Sequence, residues 1–178
     1  MLIRKAQITD APALATVMVD TWLATHRGHM SEAAWQKRKA EWSYEVSEGG
    51  WAATLDGIER GDKMCIYVAE DDTGAVAGLA VGFPTKQNLS IGEISALYVR
   101  IDCQGQGMGR KLVQAVAAYL AALDVTVLHI AVLAVNTSAR RFYEAIGGQI
   151  VGERDFDEEG VLLPEVLYGW PEIGVFLR

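Results

Sequence analysis

The chain is poor in the residues that mark most specialised proteins. Its two cysteines, Cys65 and Cys103, form no C-x-x-C pair and are too few for a disulfide framework, so a reducing cytoplasm is the expected setting. Of its three histidines, His26 and His29 sit three apart with no convincingly spaced third ligand, and no metal site is expected. Positive charge is also short. Against 23 acidic side chains there are 16 basic ones, a net charge of −7. That balance argues against a nucleic-acid partner and suits a cationic one such as an amine. No apolar run reaches the ~18 residues of a membrane span. The opening "MLIRKAQITDAPAL" lacks the apolar segment of a signal peptide. There is no G-x-S-x-G elbow, which excludes a serine hydrolase of that type. No internal repeat, low-complexity tract or linker breaks the chain.

What is present is enough for a core. Of 178 residues, 51% are hydrophobic and 22% charged, which fits one globular domain over residues 1–178. "LIRKAQI" reads as a first strand over 2–8, with Thr9 or Asp10 as helix N-cap and Pro12 in the first turn. Leu14, Val17, Met18 and Trp22 recur at helical spacing. A second helix is expected from Ser31, its cap, to about Val46, with "SEGGW" ending it. "MCIYVAED" and "AVAGLAVGF" read as an antiparallel pair around the turn "DDTG", and "GEISALYV" as a third strand. A helix follows from about Met108 to Leu123, with Leu112, Val116, Leu120 and Leu123 on its buried stripe. "VLHIAVLAV" is almost wholly apolar, as a strand covered on both faces would be. Asn136-Thr137-Ser138 can cap the short helix "ARRFYEAIGG". "QIVGERDF" and "EVLYGW" close the chain as strands, with 157–164 as the loop between them. This order, β–α–α–β–β–β–α–β–α–β–β, defines an α/β domain with a mixed sheet.

The sharpest signal is "LYVRIDCQGQGMGRKLVQAV". Gly105, Gly107 and Gly109 sit at alternate positions between a strand and a helix. A helix begins with N–H groups that have no internal partner and with partial positive charge. A loop without side chains lets a phosphate approach those donors. The P-loop pattern fails, because Gly109-Arg110-Lys111-Leu112 offers no hydroxyl for magnesium. G-x-G-x-x-G fails too, since the third glycine comes one residue early. A plain glycine-rich turn with a helix cap is the bland alternative.

Gln104-x-x-Gly107-x-Gly109 resembles the Q/R-x-x-G-x-G/A signature of the GNAT superfamily of N-acetyltransferases. "NTSARRFYEAIGG" is similar to that family's second signature, in the right order and separation. The resemblance implies a mixed, mostly antiparallel twisted sheet of six to seven strands flanked by helices. It places a cofactor cleft between the two central parallel strands, "EISALYV" and "VLHIAVLAV". It implies acetyl-CoA as acyl donor and direct transfer to a primary amine of a small molecule or peptide, with no metal. The glycine loop and first helical turn, Gln104, Gly105, Gln106, Gly107, Met108, Gly109 and Arg110, would hold the pyrophosphate. The backbone of Leu97, Tyr98 and Val99 would pair with the pantetheine arm, with Asn136, Ser138 and Arg141 assisting. Tyr143 would be the general acid at the coenzyme A sulfur. Glu93 would be the general base through water, although a solvated strand-end carboxylate is an equal reading. A bulge in the central strand would open the cleft.

For the amine side, the family's first two helices imply Trp22, His26 and Trp35 as substrate contacts, while helix packing is the plainer role for both tryptophans. Cys103 lies where a helix N-terminus would lower its thiol pKa, though a small loop residue is the simpler assignment. Two rival readings remain: a non-catalytic acyl-CoA-binding module of the same fold, and a binder of another nucleotide phosphate. A homodimer is compatible with the family, and "WPEIGVFLR" is apolar enough to pack on the body or on a partner.

Overall fold

The computed structural model describes residues 1–158 and 160–177. The chain runs β1 (Leu2–Lys5), α1 (Ala11–His26), α2 (Glu32–Glu41), α3 (Tyr44–Glu59), β2 (Cys65–Glu70), β3 (Val76–Pro84), β4 (Ile91–Val99), α4 (Met108–Ala121), β5 (Val127–Leu133), α5 (Thr137–Ala145), β6 (Gln149–Glu158) and β7 (Val161–Trp170). All seven strands form one sheet in the order β1-β2-β3-β4-β5-β7-β6. Every neighbouring pair is antiparallel except β4 and β5, which are parallel. The expected mixed, mostly antiparallel sheet with flanking helices is therefore present.

Three boundaries differ from the sequence reading, each for a physical reason. Asp10 does not cap α1 with its side chain. Its carboxylate accepts from Arg4 Nη1 at 2.6 Å, Arg4 Nη2 at 2.9 Å and the Gln7 amide at 2.7 Å, which ties β1 to the start of α1 and ends the strand at Lys5. The second helix stops at Glu41, and a third begins after Ser43, whose hydroxyl accepts from the Val46 amide at 3.2 Å. That third helix runs straight through "SEGGW". Each glycine costs a helix interior about 1 kcal/mol, but α3 packs along α1 and buries Leu55 there, and packing overrides propensity. Finally, β6 and β7 are longer than expected and pair from Glu158↔Val161 onward, so Pro164 lies inside β7. The strand tolerates a proline there because β7's ladder with β5 starts only at Glu165; on that side Pro164 needs no amide and uses only its carbonyl, which accepts from the Ala134 amide at 2.8 Å.

The core lies on both faces of the sheet. One layer joins α4 and α5 to the sheet through Leu112, Val113, Val116 and Leu120, all fully buried. Burying such a side chain contributes about 1.5–3 kcal/mol. The other face carries α1 and α3, with Leu14, Val17 and Leu55 over Val68, Leu79 and Ala96. The apolar C-terminal segment packs on this body, with Phe176 edge-on to Trp170 at 5.5 Å.

Candidate active site

The site begins with one surplus residue. Val81 of β3 faces Ala96 of β4 while the next residue, Gly82, faces Ile94, so Ser95 is bulged out of the ladder. A bulge bends its strand and increases the local twist. The parallel pairing of β4 with β5 ends at the same place, at Ile94↔Ile130. Beyond it β5 stays with β7 as far as Leu133, and β4 turns away. The two strands open into a cleft of about 800 Å³.

One end of the cleft is backbone. Gly107 takes φ +82° as the residue before α4, a left-handed conformation that a side chain would strain, and nothing lies within 4 Å of where its Cβ would stand. The amides of residues 105–110 find no backbone acceptor among the described residues, and α4 has no side-chain cap. These unfilled donors, at a helix N-terminus in a glycine cradle, suit a phosphate group. Gln104 stiffens the approach by donating Nε2 to the Val99 carbonyl at 3.0 Å. Gly109 has a different role from its neighbours. A Cβ there would stand 3.3 Å from the Phe142 ring, so its bareness lets α4 sit against α5.

The cleft gathers most of the residues expected to hold the cofactor. Leu97, Tyr98 and Val99 line it from β4, and Gln104, Gly105 and Gly107 from the loop. The first turn of α4 adds Met108, Gly109 and Arg110, and α5 adds Asn136, Ser138 and Tyr143. Asn136 also caps α5, its side-chain oxygen accepting from the Ala139 amide at 3.1 Å. Gln106 and Arg141 are not brought in; both are exposed, and Gln106 donates to the Asp102 carbonyl instead. Arg140, beside Arg141, donates to Ala134 O and the Tyr168 hydroxyl. Tyr143 is 5% exposed, lined by Phe142, Tyr168 and Trp170, and its hydroxyl has no hydrogen-bond partner among the described residues. Burial raises its pKa, so the phenol keeps its proton at neutral pH.

Glu93 is the main departure. It stands on the α1 side of the sheet, outside the cleft wall, and Arg154 Nη2 holds its carboxylate at 3.3 Å. The same guanidinium donates Nε to Glu165 at 2.8 Å. Glu165, on β7, does line the cleft. It escaped the sequence reading because no motif surrounds it; only the sheet order, which sets β7 beside β5, brings it to the opening.

Of the three residues expected at the amine side, His26 lines the cleft and Trp22 and Trp35 do not. Trp22 stacks on His26 at 3.9 Å and meets Trp42 edge-on, and the Trp35 indole donates to the Leu23 carbonyl at 3.1 Å. Both tryptophans fasten α2 to α1. Cys103 also lines the cleft, but burial pushes its thiol pKa up, opposite to the expected helix effect, which leaves it a poor nucleophile. Among the described residues no group of three or more His, Cys, Asp or Glu side chains could hold a metal ion, and no helix is long and apolar enough to cross a membrane.

A split β4/β5 pair facing a glycine-capped helix defines an acyl-CoA-type cleft, and the profile of the acetyltransferase (GNAT) family matches residues 29–148. The chain belongs to that family. It is 28% identical over 178 residues to the uncharacterized N-acetyltransferase YuaI of Bacillus subtilis (strain 168), covering 96% of this chain and 93% of that protein. It is also 28% identical over 152 residues to the mycothiol acetyltransferase of Gordonia bronchialis, covering 82% of this chain but 49% of that protein. Among solved structures, the ribosomal-protein-alanine N-acetyltransferase of Brucella melitensis superposes with a TM-score of 0.72 at 22% identity, covering 96% of this chain and 99% of that one. The phosphinothricin acetyltransferase of Sinorhizobium meliloti, in complex with AcCoA, superposes at 0.74 and 18% identity, covering 96% and 88%. These likenesses establish a shared fold.

Proposed function

We propose that this protein is an acetyl-CoA-dependent N-acetyltransferase that moves the acetyl group directly to a primary amine of a small molecule or peptide. The observation that carries the reading is a coincidence in one cleft. The glycine loop and first turn of α4, with their unpartnered amides, and the buried, unpartnered Tyr143 phenol line its two sides. The family relatives and the AcCoA-bound neighbour support it.

The donor supplies an activated thioester. The loop amides receive its pyrophosphate, with Arg110 beside them. The free edge of β4 over Leu97–Val99 pairs with the extended pantetheine arm as an added strand would. Holding donor and amine together removes much of the entropic barrier. The amine nitrogen bonds to the acyl carbon as the carbon–sulfur bond breaks, and the phenol of Tyr143 donates its proton to the departing sulfur. The proton that the nitrogen sheds after bonding to carbon passes through water to restore the Tyr143 phenol, and the surplus proton of the starting ammonium is released to solvent. An alkylamine has a pKa of about 10, so this loss must precede attack. Glu93, clamped by Arg154 outside the cleft, is poorly placed to take it directly.

That clamp favours one second reading, an acyl-CoA-binding module that transfers nothing. Calorimetric titration with acetyl-CoA, with ATP and NADH as controls, followed by a free-thiol assay over a wide amine panel, separates the cases. Selective binding at one per chain with amine-dependent thiol release is expected. Binding without release on any amine indicates the module. No binding by folded protein removes both readings.

A further inference from the structure

The cleft is electrically polarised along its length. Its charged lining consists of Arg110 at the glycine-loop end and Glu165 at the α1 end. The Glu165 side chain is 13% exposed and its ion pair with Arg154 does not neutralise the region, because Arg154 is shared with Glu93. Two carboxylates against one guanidinium leave one net negative charge. Nearby, Arg38 pairs with Glu158 at 3.0 Å.

The neutral groups at this end can accept hydrogen bonds. His26 is 7% exposed, and its Nδ1 lies 2.9 Å from the Trp22 carbonyl. A carbonyl can only accept, so Nδ1 carries the ring proton and Nε2 carries a lone pair. Nε2 has no partner among the described residues. The stacked Trp22 ring fixes the imidazole in this orientation. The Tyr98 phenol, half-buried and facing the Glu165 and Glu158 carboxylates, is also unpartnered. Both residues line the cleft with no protein donor facing these atoms among the described residues, so their lone pairs are open to a ligand's N–H.

We propose that Glu165, His26 and Tyr98 form a cation-recognition pocket that receives the ammonium of the acceptor and selects amines without a carboxylate beside the amine. This rests on the acetyl-transfer reading for its biological meaning. A carboxylate at the α-carbon would be forced against Glu165 and the bare Nε2, while the cationic lining residue, Arg110, stands at the other end of the cleft. An uncharged or cationic neighbour meets no such repulsion, and discrimination arises from what is repelled as well as from what is held.

Matched probes test this. Tyramine against tyrosine, and cadaverine against lysine, differ only in the α-carboxylate. Their binding is measured calorimetrically on the protein alone and on protein saturated with coenzyme A, and their turnover by thiol release. At least one carboxylate-free probe should bind and exceed its amino acid at least tenfold. Glu165→Gln should shrink that ratio below threefold with coenzyme A affinity unchanged. Arg154→Met, which removes the ion pair but keeps the carboxylate, should hold or widen the ratio. A purely structural role for the pair would make the two variants behave alike and overturns the proposal. So does preference for the amino acids, or no binding by any probe. Failure to bind coenzyme A while the amine preference persists would instead overturn the acetyl-transfer reading alone.

Discussion

The two ends of the cleft are built from different materials. The glycine-loop end is made of backbone. Its donors are the amides of residues 105–110, contiguous in the chain, and their direction follows from the start of α4. The α1 end is made of side chains from three distant elements: His26 on α1, Tyr98 on β4 and Glu165 on β7. A backbone site is written locally, because a short pattern of glycines is both necessary and visible. A side-chain site assembled across the sheet has no local signature. It can change its chemistry by single substitutions without disturbing the fold, which suits a family with one donor and many acceptors.

Substitutions at each end should sharpen this contrast. The largest effect is expected where the two ends meet. Tyr143→Phe should lower kcat by about 10²–10³-fold, the usual scale for one acid–base group. Acetyl-CoA affinity measured by calorimetry should be unchanged. Equal losses in kcat and affinity would make Tyr143 a packing residue.

The next effect belongs to the α1 end. Burial, opposed only by the Trp22 carbonyl, lowers the His26 pKa from 6.5 to about 4. Between those values the unfolded chain binds a proton that the native one lacks, so stability is full above about 6.5 and falls as pH drops towards about 4. The loss should be on the order of 3 kcal/mol. His26→Asn, whose amide can still donate to Trp22 O, should flatten that pH dependence in denaturant melts. An unchanged slope would assign the acid sensitivity elsewhere.

At the loop end, Gly107→Val forces a β-branched residue to φ +82°. The left-handed conformation costs about 1–2 kcal/mol, so acetyl-CoA should bind about tenfold more weakly, the equivalent of 1.4 kcal/mol. Native affinity would mean that the loop does not need its conformation to bind. The smallest effect is expected at Leu97. If backbone pairing does the work there, Leu97→Met should leave affinity within about twofold, since a volume-conserving swap disturbs packing little. A large loss would show that the side chain carries binding after all.

Much of the architecture was legible before any coordinates. The stripe Leu112, Val116, Leu120 marked the buried side of α4, although the helix ends at Ala121 and leaves Leu123 outside it. The apolar run of β5 marked a strand, although as far as Val132 only alternate residues, Leu128, Ile130 and Val132, are buried, so one face is covered and the other is half-open. Ser31 was readable as a cap because its hydroxyl serves an amide three residues on. Other features were not readable, since they depend on partners far along the chain. Glycines 49 and 50 suggest a break, yet α3 passes through them because α1 supports it. Pro164 suggests a loop, yet it sits in a strand just beyond the β5 ladder, where only its carbonyl is engaged, by the Ala134 amide.

The sequence by itself determined the family, the order of the elements and the backbone end of the cleft, because each rests on contiguous residues whose conformational limits are intrinsic. Only the tertiary structure decided which carboxylate meets the cleft. Glu93 opens a motif strand but is drawn aside by Arg154, and Glu165 lies in no motif but is carried to the opening by β7. The physical reason is distance. Charge and hydrogen-bond partners act through space over a few ångströms, and here they join residues 61 apart in the chain.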